Sequence, residues 1–235
     1  MVQEALNYLS KDRLLHIDML EPIQLRTAEV LHAGEEGVLL YHAHSGAYMI
    51  SGVCEDIVKS LYKRIPSSEK VQMVVLHQPF CEQEIAEQFQ LTGHMPCHQA
   101  AYLAKTPLPI PYGNIRIQPL AETDLPFVVK HYTHIADVEY IRSRLRAGTL
   151  GAYVGGELAG FVGVHSEGTI GMLEVLPAFR RLGIAYVLEA SLINRFLEDE
   201  KVPYCQVEKG NEASLALQRK LGMTVTEKAS IVWLF

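Results

Sequence analysis

Cysteine and tryptophan are scarce in this chain of 235 residues, and no apolar run approaches the ~20 residues that a membrane span needs. The four cysteines, Cys54, Cys81, Cys97 and Cys205, stand far apart with no Cys-x-x-Cys spacing. That excludes a disulfide framework and reads as reduced, mostly buried thiols. Metal-type ligands crowd only at His94-Met-Pro-Cys97-His98, and no second cluster supplies the rest of a coordination shell, so packing is the reading and no metal is expected. Basic excess is missing too. A net charge of -6 argues against a nucleic-acid coat, which needs a basic face to displace counterions from phosphates. The opening MVQEALNYLSKDR has neither the basic start nor the apolar core of a signal peptide, so a cytoplasmic location without membrane partners is expected. What is present is ordinary globular material: 49% hydrophobic and 20% charged residues, enough for real cores and against disorder.

Organisation along the chain follows from proline and periodicity. Lys105-Thr-Pro-Leu-Pro-Ile-Pro-Tyr112 carries three alternating prolines, which remove backbone donors and favour an extended course. It marks a boundary: a domain over 1–106, a linker over 107–113 and a second domain over 114–235. In the second domain, Ile115-Arg-Ile-Gln-Pro reads as a strand, Asp124 as a helix cap before Leu125–Tyr132, and Asp137–Arg146 as a helix stopped by Gly148. Gly151–Val154 and Leu158–Val164 flank Gly155-Gly156, the signature of a two-residue hairpin, and Thr169–Leu176 is a third strand. From Gly183 to Asp199, Ile184, Val187, Leu188, Leu192 and Phe196 recur at helical spacing. Tyr204–Val207 reads as a strand, Ala213–Leu221 as a helix closed by Gly222, and Thr224–Phe235 as a strand pair or hairpin. The order predicts an α/β fold with a mixed sheet flanked by helices.

The first half repeats that order in degraded form. Two short helices reach about Leu20; strands are predicted at Arg26–Leu31, Val38–His42, Ala47–Ile50, Val71–Leu76 and Gln99–Ala104, with helices at Cys54–Lys63 and Glu82–Phe89.

The stretch with chemistry in it is Leu173-Glu-Val-Leu-Pro-Ala-Phe-Arg-Arg-Leu-Gly-Ile-Ala185, a strand passing through a tight turn into the long helix. The first turn of a helix has unpaired N–H groups and the positive end of the macrodipole, which suits a pyrophosphate. Gly183 and the small Ala185 let a ligand approach the backbone, while Arg180 and Arg181 add positive charge.

Arg180-x-x-Gly183-x-Ala185 after Val175-Leu-Pro177 resembles the acyl-CoA signature of the GNAT superfamily of N-acetyltransferases. Asn211-Glu-Ala-Ser214, followed by Leu217 and Lys220-Leu-Gly222-Met223, is similar to the second block of that superfamily. A degenerate first half before a complete second one further resembles its glycine N-acyltransferase-like branch. The resemblance implies acetyl-CoA as acyl donor and a small-molecule primary amine as acceptor, with a homodimer allowed. It also implies fourth and fifth strands that splay apart, the pantetheine arm along Leu173–Val175, and pyrophosphate on the amides of Arg181, Leu182, Gly183, Ile184 and Ala185. Asn211 and Ser214 would face the coenzyme. At the matching junction of the first half, Ile50-Ser-Gly-Val-Cys-Glu-Asp56 puts two carboxylates where phosphate would sit, so no coenzyme is expected there.

An alkyl ammonium has a pKa near ~10.4, so a base must free the attacking amine. Glu174 is the first candidate and Glu208 the second; alternation leaves open whether Glu174 points to the cleft or to solvent. In that family a tyrosine often serves as general acid at the position held here by Gln218, whose amide cannot donate a proton to the leaving thiolate; Tyr204, Cys205 or water could assist. His131, Tyr132 and His134 are candidates for acceptor binding, against the reading as a solvated loop, and His165 reads as a surface or packing residue. Two other functions stay open: an acyl-CoA-binding regulatory module without turnover, and a first domain that docks a protein acceptor.

Overall fold

The computed structural model, which describes residues 1–66 and 70–235, runs α1 (Val2–Leu9), α2 (Ile17–Gln24), β1 (Ala28–Ala33), β2 (Gly37–His42), β3 (Ala47–Gly52), α3 (Glu55–Tyr62), β4 (Met73–Leu76), α4 (Glu82–Phe89) and β5 (His94–Ala101). It continues with β6 (Ile115–Pro119), α5 (Leu125–His131), α6 (Val138–Arg146), β7 (Leu150–Val154), β8 (Glu157–Val164), β9 (Ile170–Val175) and α7 (Ile184–Glu198). The last elements are β10 (Tyr204–Glu208), α8 (Glu212–Lys220), β11 (Thr224–Val225) and β12 (Ile231–Leu234). This is the mixed α/β architecture that the element order predicts. The compact units cut the chain differently from the proline boundary: one holds Met1–Ala101, Gln206–Leu215 and Thr224–Phe235, the other Tyr102–Cys205 and Ala216–Met223.

The first unit is built on a sheet ordered β1-β2-β3-β4-β12-β5-β10, with β11 also on β5. Strand alternation sorts its side chains onto two faces. Leu40, Met49, Val75, Ile231 and Trp233 cluster with residues of α1 and α2, while Leu39, Tyr48, Ile50, Val232 and Leu234 cluster with residues of α3 and α4. Two expectations are corrected here. Residues 224–235 do form two strands, but not a hairpin: β11 pairs with β5, and β12 lies between β4 and β5. The strand expected at Gln99–Ala104 instead starts at His94 and includes Pro96. A proline is tolerated there because its carbonyl meets the N–H of Lys209, just past the end of β10, where a missing ladder donor costs little.

The second unit is built on the antiparallel sheet β6-β7-β8-β9. Gly155 and Gly156 both have positive φ, and Val154 pairs with Glu157, so the two-residue hairpin forms as read. Asp137 caps α6 by accepting from the N–H groups of Glu139 and Tyr140 at 2.9 and 3.0 Å. Asp124 precedes α5 but turns back to accept from the Ala121 N–H at 2.8 Å. Phe161 on β8 packs with Leu125, Val128, Tyr132, Ile141 and Leu145 of the α5–α6 layer. Its neighbour Val162 is also fully buried, and α7 packs along β7, β8 and β9 on the remaining face. Each fully buried Leu or Ile of α7 is worth about 1.5–3 kcal/mol. Helix α7 is buried more widely than one stripe, taking Glu189 and Ser191 inside with its apolar residues.

Candidate coenzyme and catalytic site

Strand β9 is the edge of its sheet, while β10, the next strand in sequence, belongs to the other sheet. Within β9 the pairing with β8 slips by one residue: Gly163 faces Gly171, but Phe161 faces Glu174. Met172, at φ +50°, is the extra residue of this bulge. The slip decides which way the base candidate points. Directly opposed residues share a face, so Glu174 lies on the Phe161 side, toward α5 and α6; without the bulge Leu173 would take that place. Glu174 is 22% exposed, and its carboxylate is met by the guanidinium of Arg180 at 3.4 Å. Arg180 also donates to the Val175 carbonyl at 3.1 Å. It therefore lies back along the strand while staying exposed, as Arg181 does.

Past Pro177 a single 3₁₀ turn leads to Arg181 and Gly183, both at positive φ, and α7 starts at Ile184. No side chain caps this helix, so the N–H groups of its first turn depend on solvent or a ligand. A Cβ built on Gly183 would meet nothing within 4 Å. The glycine is thus demanded by its φ of +81°, and the space above it stays open. An uncapped helix start, an open glycine and the adjacent exposed guanidinium of Arg181 fit the pyrophosphate of a coenzyme A. Leu182 and Gly183 are exposed, Ile184 is buried, and Ala185 is half-buried.

The acceptor candidates are distributed unevenly. His131 ends α5 and stacks obliquely on Phe127 at 4.6 Å; His134 is exposed. Tyr132 is not in a solvated loop but buried against Phe161, with ring centroids 6.4 Å apart. Burial pushes its phenol up to about 12, helped by the charges of Tyr140, Glu167 and Glu174, so Tyr132 and Glu174 share one electrostatic neighbourhood. His165 is a packing residue: its Nδ1 meets the Tyr140 hydroxyl at 2.8 Å, and burial lowers its pKa. Tyr204 donates to the Glu167 carbonyl at 2.7 Å, which ties up its proton.

Glu208, Asn211 and Ser214 fall in the other unit. Glu208 is exposed at the end of β10. Asn211 Oδ1 accepts from the Ser214 N–H at 3.1 Å, as an N-cap does for α8. Gln218 is 1% exposed and donates its Nε2 to both oxygens of Glu189, at 3.1 and 3.2 Å. Burial raises Glu189 to about 7. Sequence reading missed this carboxyl; its signal was a glutamate between Ala185 and Ile193 on consecutive turns of an apolar helix. Among the described residues, no group of three or more His, Cys, Asp or Glu could hold a metal ion, and no helix is long and apolar enough to cross a membrane.

Residues 115–223 match the sequence model of the acetyltransferase (GNAT) family. Over that stretch the chain is similar to acetyltransferases of the GNAT family, which use acyl-CoA. Solved structures share the fold over nearly the whole chain. A Drosophila protein is 17% identical, covers 99% of this chain and 94% of its own, and has a TM-score of 0.67. A GCN5-related N-acetyltransferase from Kribbella flavida is 13% identical over 94% of each chain, with a TM-score of 0.58. A GNAT acetyltransferase from Colwellia psychrerythraea is 14% identical over 98% of this chain and 97% of its own, with a TM-score of 0.51. No curated protein sequence is detectably similar to this chain.

Proposed function

We propose that the protein transfers acetyl from acetyl-CoA to the primary amine of a small molecule by direct attack, with Glu174 as general base. The observation that carries this reading is the bulge at Met172, which turns Glu174 onto the α5–α6 side of an edge strand directly ahead of the uncapped start of α7. The amides from Arg181 to Ala185 would hold the pyrophosphate, and the backbone of Leu173 to Val175 would lie along the pantetheine arm. Bound acetyl-CoA supplies the activated acyl carbon. Glu174 takes the proton from the acceptor nitrogen, and a backbone N–H of β9 stabilises negative charge developing on the acyl oxygen. Glu174 and the Tyr132 hydroxyl favour a cationic acceptor entering beside α5, with His131 and His134 at the mouth. No acid is needed for the leaving group, because a thiol with a pKa near ~8.5 departs as the thiolate.

Four free cysteines, one of them exposed at Cys54, support a reducing, cytoplasmic setting. The matching element order of the two halves supports the glycine N-acyltransferase-like branch, with the first half a degenerate copy that binds no coenzyme. Glu174→Gln should lower kcat about 10²–10³-fold and remove the acidic limb of the pH–rate profile, with acetyl-CoA affinity intact. A regulatory module without turnover is the second reading, favoured by the Gln218 amide being spent on buried Glu189. Release of CoA with no amine in a broad panel, despite tight acetyl-CoA binding, would decide for it.

A further inference from the structure

Helix α7 carries one acidic side chain inward on its second turn, and the proposed mechanism does not use it. Glu189 is 3% exposed, flanked by the buried Leu188, Ala190 and Ile193, and both its oxygens meet the Nε2 of Gln218 on α8, at 3.2 and 3.1 Å. An ionised carboxylate there has a single amide for a partner. The far end of that amide is unsatisfied too: Gln218 Oε1 is buried and meets no donor among the described residues. One proton resolves both. Carried by Glu189 and aimed at Oε1, with the amide turned so that its two ends face the carboxyl, it closes a ring of two hydrogen bonds and leaves no buried polar atom over. Burial pushes Glu189 up to about 7, in keeping with that geometry.

Among the described residues no cation faces Glu189 from the elements packed on α7. Arg219 and Lys220 of α8 are exposed, Arg116 of β6 lies over the Tyr153 ring of β7, Glu157 of β8 is exposed, His165 beyond β8 meets Tyr140, and Glu174 of β9 lies on the α5–α6 side. On α7 itself Arg195 is exposed and donates to the Gly148 carbonyl. The same two helices touch once more, one turn nearer the phosphate loop. The Lys220 ammonium lies 5.2 Å from the centroid of the Tyr186 ring, and Tyr186 belongs to the first turn of α7, whose uncapped N–H groups are the proposed pyrophosphate site. Gln218 and Lys220 thus fasten α8 to the first two turns of α7.

We propose that this clasp is proton-dependent and regulates the coenzyme site: protonated Glu189 keeps α8 seated and the first turn of α7 in its binding geometry, and loss of the proton to solvent releases α8 and weakens coenzyme binding. The inference rests on the coenzyme reading above and adds regulation to it. Binding that needs the proton is full below the pKa and is lost as pH rises through about 7. Its sense is opposite to that of Glu174, which must be ionised to act as a base.

The test is calorimetric titration of the full chain with acetyl-CoA between pH 6.5 and 8.5. Wild type should bind roughly tenfold more weakly at the upper end, since linkage to one proton allows at most about tenfold per pH unit. At pH 8, binding should take up about one proton, read from the dependence of the heat on the buffer's ionisation enthalpy. Glu189→Gln, which replaces the acid–amide ring by an amide–amide ring, should bind at every pH as wild type does at pH 6.5 and take up none. An affinity that does not change with pH, or a fall that persists in Glu189→Gln, would overturn the clasp while leaving the coenzyme site standing. Should that variant not fold, absence of proton uptake by wild type at pH 8 overturns the clasp by itself. Failure of wild type to bind acetyl-CoA at any pH would remove the coenzyme reading and this inference with it.

Discussion

At the end of β3 and again at the end of β9, the chain leaves a strand through a short turn and enters a helix. In the first unit the strand is then sealed. β3 pairs in parallel with β4 from Ala47↔Met73 to Ile50↔Leu76, and the ladder extends further: the His77 N–H reaches the Ile50 carbonyl at 3.0 Å, and the Gly52 N–H reaches Gln78 Oε1 at 3.0 Å. Behind it, His16 meets Ser51 at 2.8 Å and His77 meets Asp18 at 2.8 Å, filling the interior with paired polar groups. Helix α3 opens on Glu55 and Asp56, the wrong charge for a phosphate. In the second unit β9 has no such neighbour in its sheet, and α7 opens on Gly183, Ile184 and Ala185 with no acid in its first turn. The same order of elements gives a closed junction in one place and an open one in the other. The difference lies in whether the strand after the helix returns to the strand before it.

The sharpest way to break this comparison is to block both turns. Gly183→Trp should abolish the thermal stabilisation by acetyl-CoA, which at ~100 times the dissociation constant is ~2.7 kcal/mol, since it fills the open space and strains a positive φ. Val53→Trp, at the exposed position of the other junction, should leave it unchanged. Stabilisation lost only in Val53→Trp would assign the coenzyme to the wrong unit.

The two interiors also respond to pH with opposite sign. Burial lowers His16 to about 4, so its contribution is present above the unfolded value of 6.5 and is lost as pH falls toward 4. Burial raises Glu189 from 4.5 to about 7, so its contribution is full below 4.5 and is lost as pH rises through 7. Each is worth about 3 kcal/mol. Hydrogen exchange, corrected for intrinsic rates, should show α2 and β3 loosening at pH 5 and α7 and α8 loosening at pH 8. Glu189→Gln should remove only the second response; loosening of both regions at the same pH would contradict the comparison.

The smallest effect concerns the proline segment. Asn194→Ala removes two hydrogen bonds from Leu108 and should cost about 1–2 kcal/mol in urea unfolding, with faster tryptic cleavage at Lys105. Unchanged cleavage would mean that the prolines alone hold the segment.

Local signals survived translation into structure wherever the partner of a residue lay close by. Gly155-Gly156 carries the turn chemistry of its own hairpin, Asp137 caps the helix that it begins, and the apolar residues of 184–198 recur at the period of the helix that they bury. The loop from Arg180 to Ala185 was legible for the same reason, because a helix start is made by residues within one turn of each other. The site was less legible where partners are distant. Tyr132 sits among polar residues in sequence but is buried by Phe161, and Gln218 is held against Glu189, 29 residues away.

The sequence by itself therefore determined the succession of strands and helices, the hairpin and the glycine turn that opens α7, since each depends on short-range periodicity and backbone preference. Only the tertiary structure decided that residues 224–235 pair with β4 and β5, that Leu108 is clamped by Asn194, and that Gln218 is held against a buried Glu189. It also decided the face of Glu174. Alternation along β9 is compatible with either side, and one extra residue at Met172, set by register against a strand elsewhere in the chain, selects between them.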